Sequence, residues 1–328
     1  MSRFFKNGIF GDPLAMSLRM VKCMSNRKNA FTLVELLVVV GIIALLIGLL
    51  FTSLGEFRRQ AMQTACLSNE RQIALASAAY ADDNLGRLPS PRTDRLASDS
   101  AVSYKNMWVD TAAPGGLVNG YEMLKSLEGG ALWTYLGQDQ SVYKSPQDPV
   151  PVPQNPPGTN PASVKTRIRS YALNGFVGVG EGNYNERCDD LWDFPHPEHP
   201  TTPAELRKQW YKTVSISQIP QPSRTMCAIT EEDRYNYNTQ GWCISIHPSY
   251  NQPLFGEWVD SPALWNGSRV NMSYMDGSVE SADIIYPSLQ RQFQADADSH
   301  WVIEGGSRPA FKYMSDRMMP GIIKQSLQ

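Results

Sequence analysis

The sequence predicts an α+β protein: one long N-terminal helix, followed by a loop-rich head built on a mainly antiparallel β-sheet. Three observations predict it. Residues 36–55 form twenty consecutive positions without a charge, nearly all apolar. The stretch behind them, "EFRRQAMQTACLSNERQIALASAAYADDN", holds neither Pro nor Gly and repeats apolar and small residues at helical spacing. Beyond it come short apolar runs broken by Pro and Gly, the pattern of strands and turns.

The apolar segment defines the first element. Twenty helical residues span about 30 Å, enough to cross a hydrocarbon core. Arg19, Lys22, Arg27 and Lys28 precede it, so the positive-inside bias places the N-terminus in the cytoplasm and the remainder outside. A secretory signal has a shorter apolar region, about 7–15 residues, with a small-residue cleavage site behind it. No Ala-x-Ala site follows here, so an uncleaved anchor is the simplest expectation. Glu35 argues against it. A carboxylate near a bilayer centre costs about 2.5–3.5 kcal/mol on insertion scales, and a plain anchor has no use for one.

The helix is expected to continue past the membrane. Met62, Cys66, Ile73, Ala76 and Tyr80 form one stripe, with Arg59, Gln63, Glu70 and Arg71 placed mostly elsewhere and Asn69 interrupting it. Asn84 and Gly86 supply the stop, with Pro89 after them. In the head, "NGYEMLKSLEGGALWTYLG" suggests one helix, or two broken at Gly129-Gly130. Residues 145–162 are Pro-dense and read as a loop or extended linker. Strand-like runs stand at "RSYALNGFVGV", "TMCAITEE" and "WCISIH". The clearest hairpin is "VNMSYMDGSVES": Val270, Met272 and Tyr274 alternate, Asp276-Gly277 suits a type I′ turn, and Val279 is expected opposite Tyr274.

Composition bounds the function. A chain of 328 residues fits one large domain or two small ones. Residues 1–30 hold six basic groups and one acid, leaving 24 basic against 31 acidic residues in the body. That balance gives no electrostatic footprint for nucleic acid. There is no Gly-x-Ser-x-Gly, phosphate-binding loop or His-Glu-x-x-His, so an enzyme is not expected. "CDDLWDFPHPEHP" offers Cys188, Asp189, Asp190, Asp193, His196, Glu198 and His199 as metal ligands. Their spacing matches no standard site, and its three prolines equally suit a fixed extended loop. Cys188, Cys227 and Cys243 would face an oxidising space, giving one disulfide and one leftover thiol. Cys66 reads as a small buried hydrophobe.

"KNAFTLVELLVVVGIIALLIGLL" resembles the N-terminal signal of type IV pilins and type II secretion pseudopilins. The resemblance implies cleavage by a prepilin peptidase between Ala30 and Phe31, with N-methylation of the new terminal Phe31. It implies that Glu35 meets the terminal amine of a neighbouring subunit, two charges that low dielectric makes expensive alone and tolerable together. Ala30 stands where the family normally has Gly. Residues 1–30 then form the leader, though a start at Met24 would give a more typical length. Residues 31–55 form the transmembrane half of the helix, 56–86 its amphipathic half, and 87–328 the extracytoplasmic head.

Three head segments are similar to a class of prepilin-like proteins: "RQIALASAAYADDN", "LWTYLGQDQSVYKSPQD" and "NGSRVNMSYMDG". That class ends in His, nine residues, then Asp-Gly. Here Asn266 stands in the His position before Asp276-Gly277, and Ser145 stands where a Cys belongs. The implied fold is pilin-like, with the long helix packed on the sheet. The implied role is a structural subunit assembled through that helix into a type II secretion pseudopilus or type IV pilus-like fibre. Its partners would be the peptidase/N-methyltransferase, other pilin-like subunits, the secretion or pilus assembly platform and the bacterial inner membrane. No cofactor is expected, although related pseudopilins hold calcium in a C-terminal loop and Asp276, Glu280 and Asp283 supply carboxylates. The competing reading is a membrane-tethered extracytoplasmic binding protein, for carbohydrate or metal, or a hydrolase. Eight Trp and 14 Tyr would furnish its binding face.

Overall fold

The structure is a computed structural model. It describes residues 32–93, 106–118, 121–152, 166–178, 215–219, 221–233, 241–249, 252–284, 287, 289–290, 301–302 and 308–318. The chain divides into two compact units, Met1–Ser53 and Leu54–Gln328. The fold is α+β and pilin-like: a long N-terminal helix, apolar in its first part, precedes antiparallel sheets.

Helix α1 runs from Leu33 to Asp83, 51 residues. In the first unit its Leu, Val and Ile side chains are exposed from Leu33 to Leu50, and it is long and apolar enough to cross a membrane. The helix closes where Asn84 and Gly86 predicted. The Gly86 N–H donates to the Ala81 carbonyl at 2.7 Å, the long bond of a Schellman close. The left-handed position before it is held by Leu85 (φ 58°), which is 95% exposed.

The second unit is organised by a four-stranded antiparallel sheet in the order β3-β4-β7-β8, made of β3 (Tyr171–Leu173), β4 (Met226–Thr230), β7 (Arg269–Tyr274) and β8 (Val279–Asp283). Side chains alternate across a strand, and here both faces are covered. Ala172, Met226, Ile229, Val270, Met272 and Tyr274 point to one face. They pack with Trp242, Trp258, Phe311 and Met314, the last two from α3 (Arg308–Met318). Tyr171, Leu173, Cys227, Ala228 and Met275 point to the other face, under α1 residues Cys66, Ile73, Ala74, Ala76, Tyr80 and Ala81. A register shift between Met226 and Ala228 puts Cys227 and Ala228 in this second core.

The remaining elements are smaller. A hairpin of β1 (Leu117–Val118) and β2 (Tyr121–Glu122) leads into α2 (Leu124–Glu128). The segment read as helix around "NGYEMLKSLEGGALWTYLG" therefore starts as a strand, and its helical part ends before Gly129. Gly130 is there for closeness: a Cβ would lie 2.2 Å from the Trp108 carbonyl oxygen. Strands β5 (Ile244–Ser249), β6 (Gln252–Trp258) and β9 (Trp301–Val302) make a three-stranded sheet with β6 central.

The hairpin turn differs from the expected one. Gly277 N–H donates to the Tyr274 carbonyl and Tyr274 N–H to the Ser278 carbonyl, both at 2.9 Å. Val279 accordingly stands opposite Ser273, not Tyr274. Among the described residues only Leu85 and Gln138 combine a side chain with positive φ, so Asp276 is right-handed and type I′ is excluded. The loop is a type I turn closed by left-handed Gly277 (φ 82°), a three-residue bulged connection. Asp276 is suited to it because its Oδ1 accepts from the Ser278 N–H at 2.9 Å and hydroxyl at 2.6 Å.

Candidate functional site

Sequence-predicted residues fall in two places, the start of α1 and the head. At the start of α1, Thr32 and Glu35 form a capping box. The Glu35 N–H donates to the Thr32 hydroxyl oxygen at 3.2 Å. Glu35 Oε2 in turn accepts from the Thr32 N–H and hydroxyl, both at 2.8 Å. Neither of these carboxylate bonds uses Oε1. Spacing explains the geometry, since Thr-x-x-Glu places the carboxylate one turn on, where it can reach back to the first amide. Ala30 and Phe31, the predicted cleavage pair, lie outside the described residues.

Along the head part of α1 the buried positions are Cys66, Glu70, Ile73, Ser77 and Tyr80, spaced four, three, four and three, with Ala74, Ala76 and Ala81 beside them. Glu70 therefore belongs to the packed stripe, contrary to its expected placement on the outer face. Asn69 is partly exposed and donates to the Ser141 and Lys144 carbonyls at 3.1 and 3.2 Å. The sheet answers Glu70 with small and polar residues. Asn271 Nδ2 lies 3.4 Å from the Cys66 sulfur, and the Cys227 thiol lies 3.8 Å from the Ser77 hydroxyl. Neither Glu70 oxygen has a hydrogen-bond partner, and neither does Asn271 Oδ1 or Ser273 Oγ. Burial pushes the Glu70 carboxyl well above the usual range. The nearby Thr230 backbone N–H offsets a little of this without closing a hydrogen bond. Burial, with Glu70 adding to it, also pushes the Cys66 thiol up to about 12.

The signature hairpin is tied to both helices. Asn266, 5% exposed, accepts from Arg59 Nη1 through its Oδ1, while Arg59 Nε and Nη2 hold Glu56. The signature position is thus a link between the approach to β7 and helix α1. Glu280 accepts from the Tyr274 and Tyr313 hydroxyls, with Arg317 at 3.6 Å. Burial works against the Glu280 carboxylate, but those donors outweigh it and hold its pKa below the ordinary value. Asp283 accepts from the Ser268 hydroxyl. Asp276, Glu280 and Asp283, the calcium candidates, are thus each engaged by protein donors. Among the described residues no three His, Cys, Asp or Glu side chains converge as metal ligands. Asp189, Asp190, Asp193, His196, Glu198 and His199, with Cys188, lie outside the described residues.

Sequence reasoning missed the buried ion pairs that hold the segment after "LWTYLG". Asp148 Oδ2 receives Lys144 at 2.5 Å, Arg167 at 3.1 Å and the Ser170 hydroxyl at 2.6 Å. Arg167 reaches on to Glu232 at 3.1 Å, and Arg169 pairs with Glu122 at 2.9 Å. The available signal was "RIRS", two arginines alternating into a strand. Beside this network Ser145, 1% exposed, sets its hydroxyl against the Cys66 sulfur. Cys243 is disulfide-bonded, while Cys66 and Cys227 are free and buried. Cys227 is therefore the leftover thiol.

Residues 25–51 match the model of the prokaryotic N-terminal methylation motif. No curated protein and no solved structure matches the chain. The motif, the capping box and the membrane-length helix together make residues 25–51 a type IV prepilin-like signal.

Proposed function

We propose that this prepilin-like precursor is a structural subunit, cut between Ala30 and Phe31 and built through α1 into a type II secretion pseudopilus or type IV pilus-like fibre. The observation that carries the reading is the methylation motif over residues 25–51, set directly on a helix long and apolar enough to span a membrane. The basic residues ahead of the span support an N-terminus on the cytoplasmic side of a bacterial inner membrane, with the head on the other side. Prepilin peptidase would expose and methylate the Phe31 amine. Assembly would then bring that amine to Glu35 of a neighbouring subunit. Glu35 Oε2 is occupied by Thr32, which leaves Oε1 for the incoming ammonium. Such a subunit acts by position, and its head needs no catalytic centre.

Mass spectrometry of the protein extracted from membranes tests the reading. The expected N-terminus is Phe31 carrying one methyl group. A product retaining Met1 or Met24, or one cut beyond Phe51, would remove the assignment. Ala30→Gly is expected to leave processing intact or improve it.

A further inference from the structure

We propose that the seam between α1 and the four-stranded sheet is a proton-locked joint: Glu70 closes it as the neutral acid, and ionising Glu70 loosens the helix from the sheet. The inference stands on the head alone and does not depend on fibre assembly. Glu70 sits in the middle of the buried stripe, fully enclosed, with both carboxyl oxygens unpartnered. The titratable groups facing it are Cys66 on its own helix, Tyr171 on β3 and Cys227 on β4. On β7, Asn271 stands beside Cys66 and Ser273 beside Cys227. None of these is a cation, and ionising any of the three would add negative charge beside Glu70. On the flanking segment the Lys144 ammonium is engaged with Asp148 at 2.5 Å.

The other buried acids are treated differently. Asp148 has Lys144 and Arg167, and Glu122 has Arg169. Removing a carboxylate from water without a partner is strongly unfavourable, and the group responds by keeping its proton. A protonated carboxyl also becomes a donor. The facing strand offers two buried acceptors without partners, Asn271 Oδ1 and Ser273 Oγ.

The consequence for stability follows from the direction of the shift. The folded-state value of Glu70 lies above its unfolded one, which is about 4.3. Below that pH both states are neutral and Glu70 contributes no pH dependence. As pH rises, the unfolded chain gives up a proton that the folded head keeps. The folding constant then falls by up to tenfold per pH unit until the folded Glu70 itself ionises. The joint is therefore tight in mild acid and loosened by alkali.

The test uses the full chain in detergent micelles, wild type against Glu70→Gln, melted from about pH 5 to about pH 9. Infrared spectra of the protonated-carboxyl C=O stretch accompany the melts. We expect the wild-type melting temperature to fall with rising pH. Glu70→Gln should stay nearly level and melt several degrees above wild type at the alkaline end. The protonated-carboxyl band should be present in wild type near neutrality and lost in the variant. Equal pH slopes in the two proteins would overturn the proposal, and so would a wild-type spectrum without that band. If Glu70→Gln does not fold, the wild-type band decides alone.

Discussion

Gly277 carries two constraints at once. Its φ of 82° lies where side chains are strained, and a Cβ there would stand 2.9 Å from Leu75 Cδ2 on α1. The second is slight, because Leu75 is half exposed and its end can swing aside, and it is invisible in the Asp-Gly dipeptide. Gly277→Val is expected to destabilise the head by about 1 kcal/mol or more from the backbone alone. At about 2–4 °C per kcal/mol for a domain of this size, the full chain in micelles should melt several degrees lower. An unchanged melting temperature would show that the turn relaxes freely. Leu85 shows the reverse arrangement, a side chain in a left-handed position with open space around it. Glu70 shows how chemistry can mislead a reading of the sequence. The spacing of Cys66, Glu70, Ile73, Ser77 and Tyr80 fits a packed stripe, but a carboxylate is expected to face outward because such groups are rarely enclosed without a partner.

Among the elements, the segment around Ser145 offers a direct test of how the head grips its helix. The Ser145 hydroxyl stands beside the Cys66 sulfur. Ser145→Cys is expected to form a disulfide with Cys66 on oxidation, stapling helix to loop. In the chain-entropy account a loop of that length adds about 4.5 kcal/mol. Peptide mapping without reductant would detect the bond, and a thiol count showing both sulfurs reduced would mean the two positions are held too far apart. The strands that sequence reasoning found, in "RSYALNGFVGV", "TMCAITEE", "WCISIH" and the hairpin, are unbroken apolar or alternating runs. Strand β6 escaped it because Pro253 and Gly256 interrupt the run. The pairing accommodates them: register shifts between His247 and Ser249, opposite the Pro253 end of β6, before β9 joins at Glu257 and Trp258. Helix α3 was hidden by Pro309 and four charges. Proline is tolerated in a first turn, and Ala310, Phe311, Met314 and Met318 still line one face. The turn type failed for a local reason. Asp-Gly reads as the two central residues, whereas Asp276 and Gly277 occupy the last two positions of a longer loop.

For the whole molecule the decisive variants are at Glu35. Glu35→Ala removes both the capping box and the charge, whereas Glu35→Gln keeps a side chain able to accept from Thr32 and removes only the charge. If the proposed amine pairing drives assembly, both variants should insert, fold and be cleaved, yet fail to crosslink to neighbouring subunits in membranes. Breaking a buried pair typically costs about 3–5 kcal/mol, several hundredfold or more in association. Normal crosslinking of Glu35→Gln beside failure of Glu35→Ala would assign the carboxylate to helix capping and leave the amine pairing without support. The division of the head into two cores bears on the order in which it is made. The Trp242–Trp258–Phe311 core draws every member from Ala172 onward, whereas the core under α1 joins partners as far apart as Cys66 and Met275. Closing the larger loop is entropically slower. During refolding, the environment of Trp242 and Trp258 should mature before that of Trp108, which sits in the helix-side core. The sheet would thus be finished on its far side first, and the head part of α1 would be the last piece to click home.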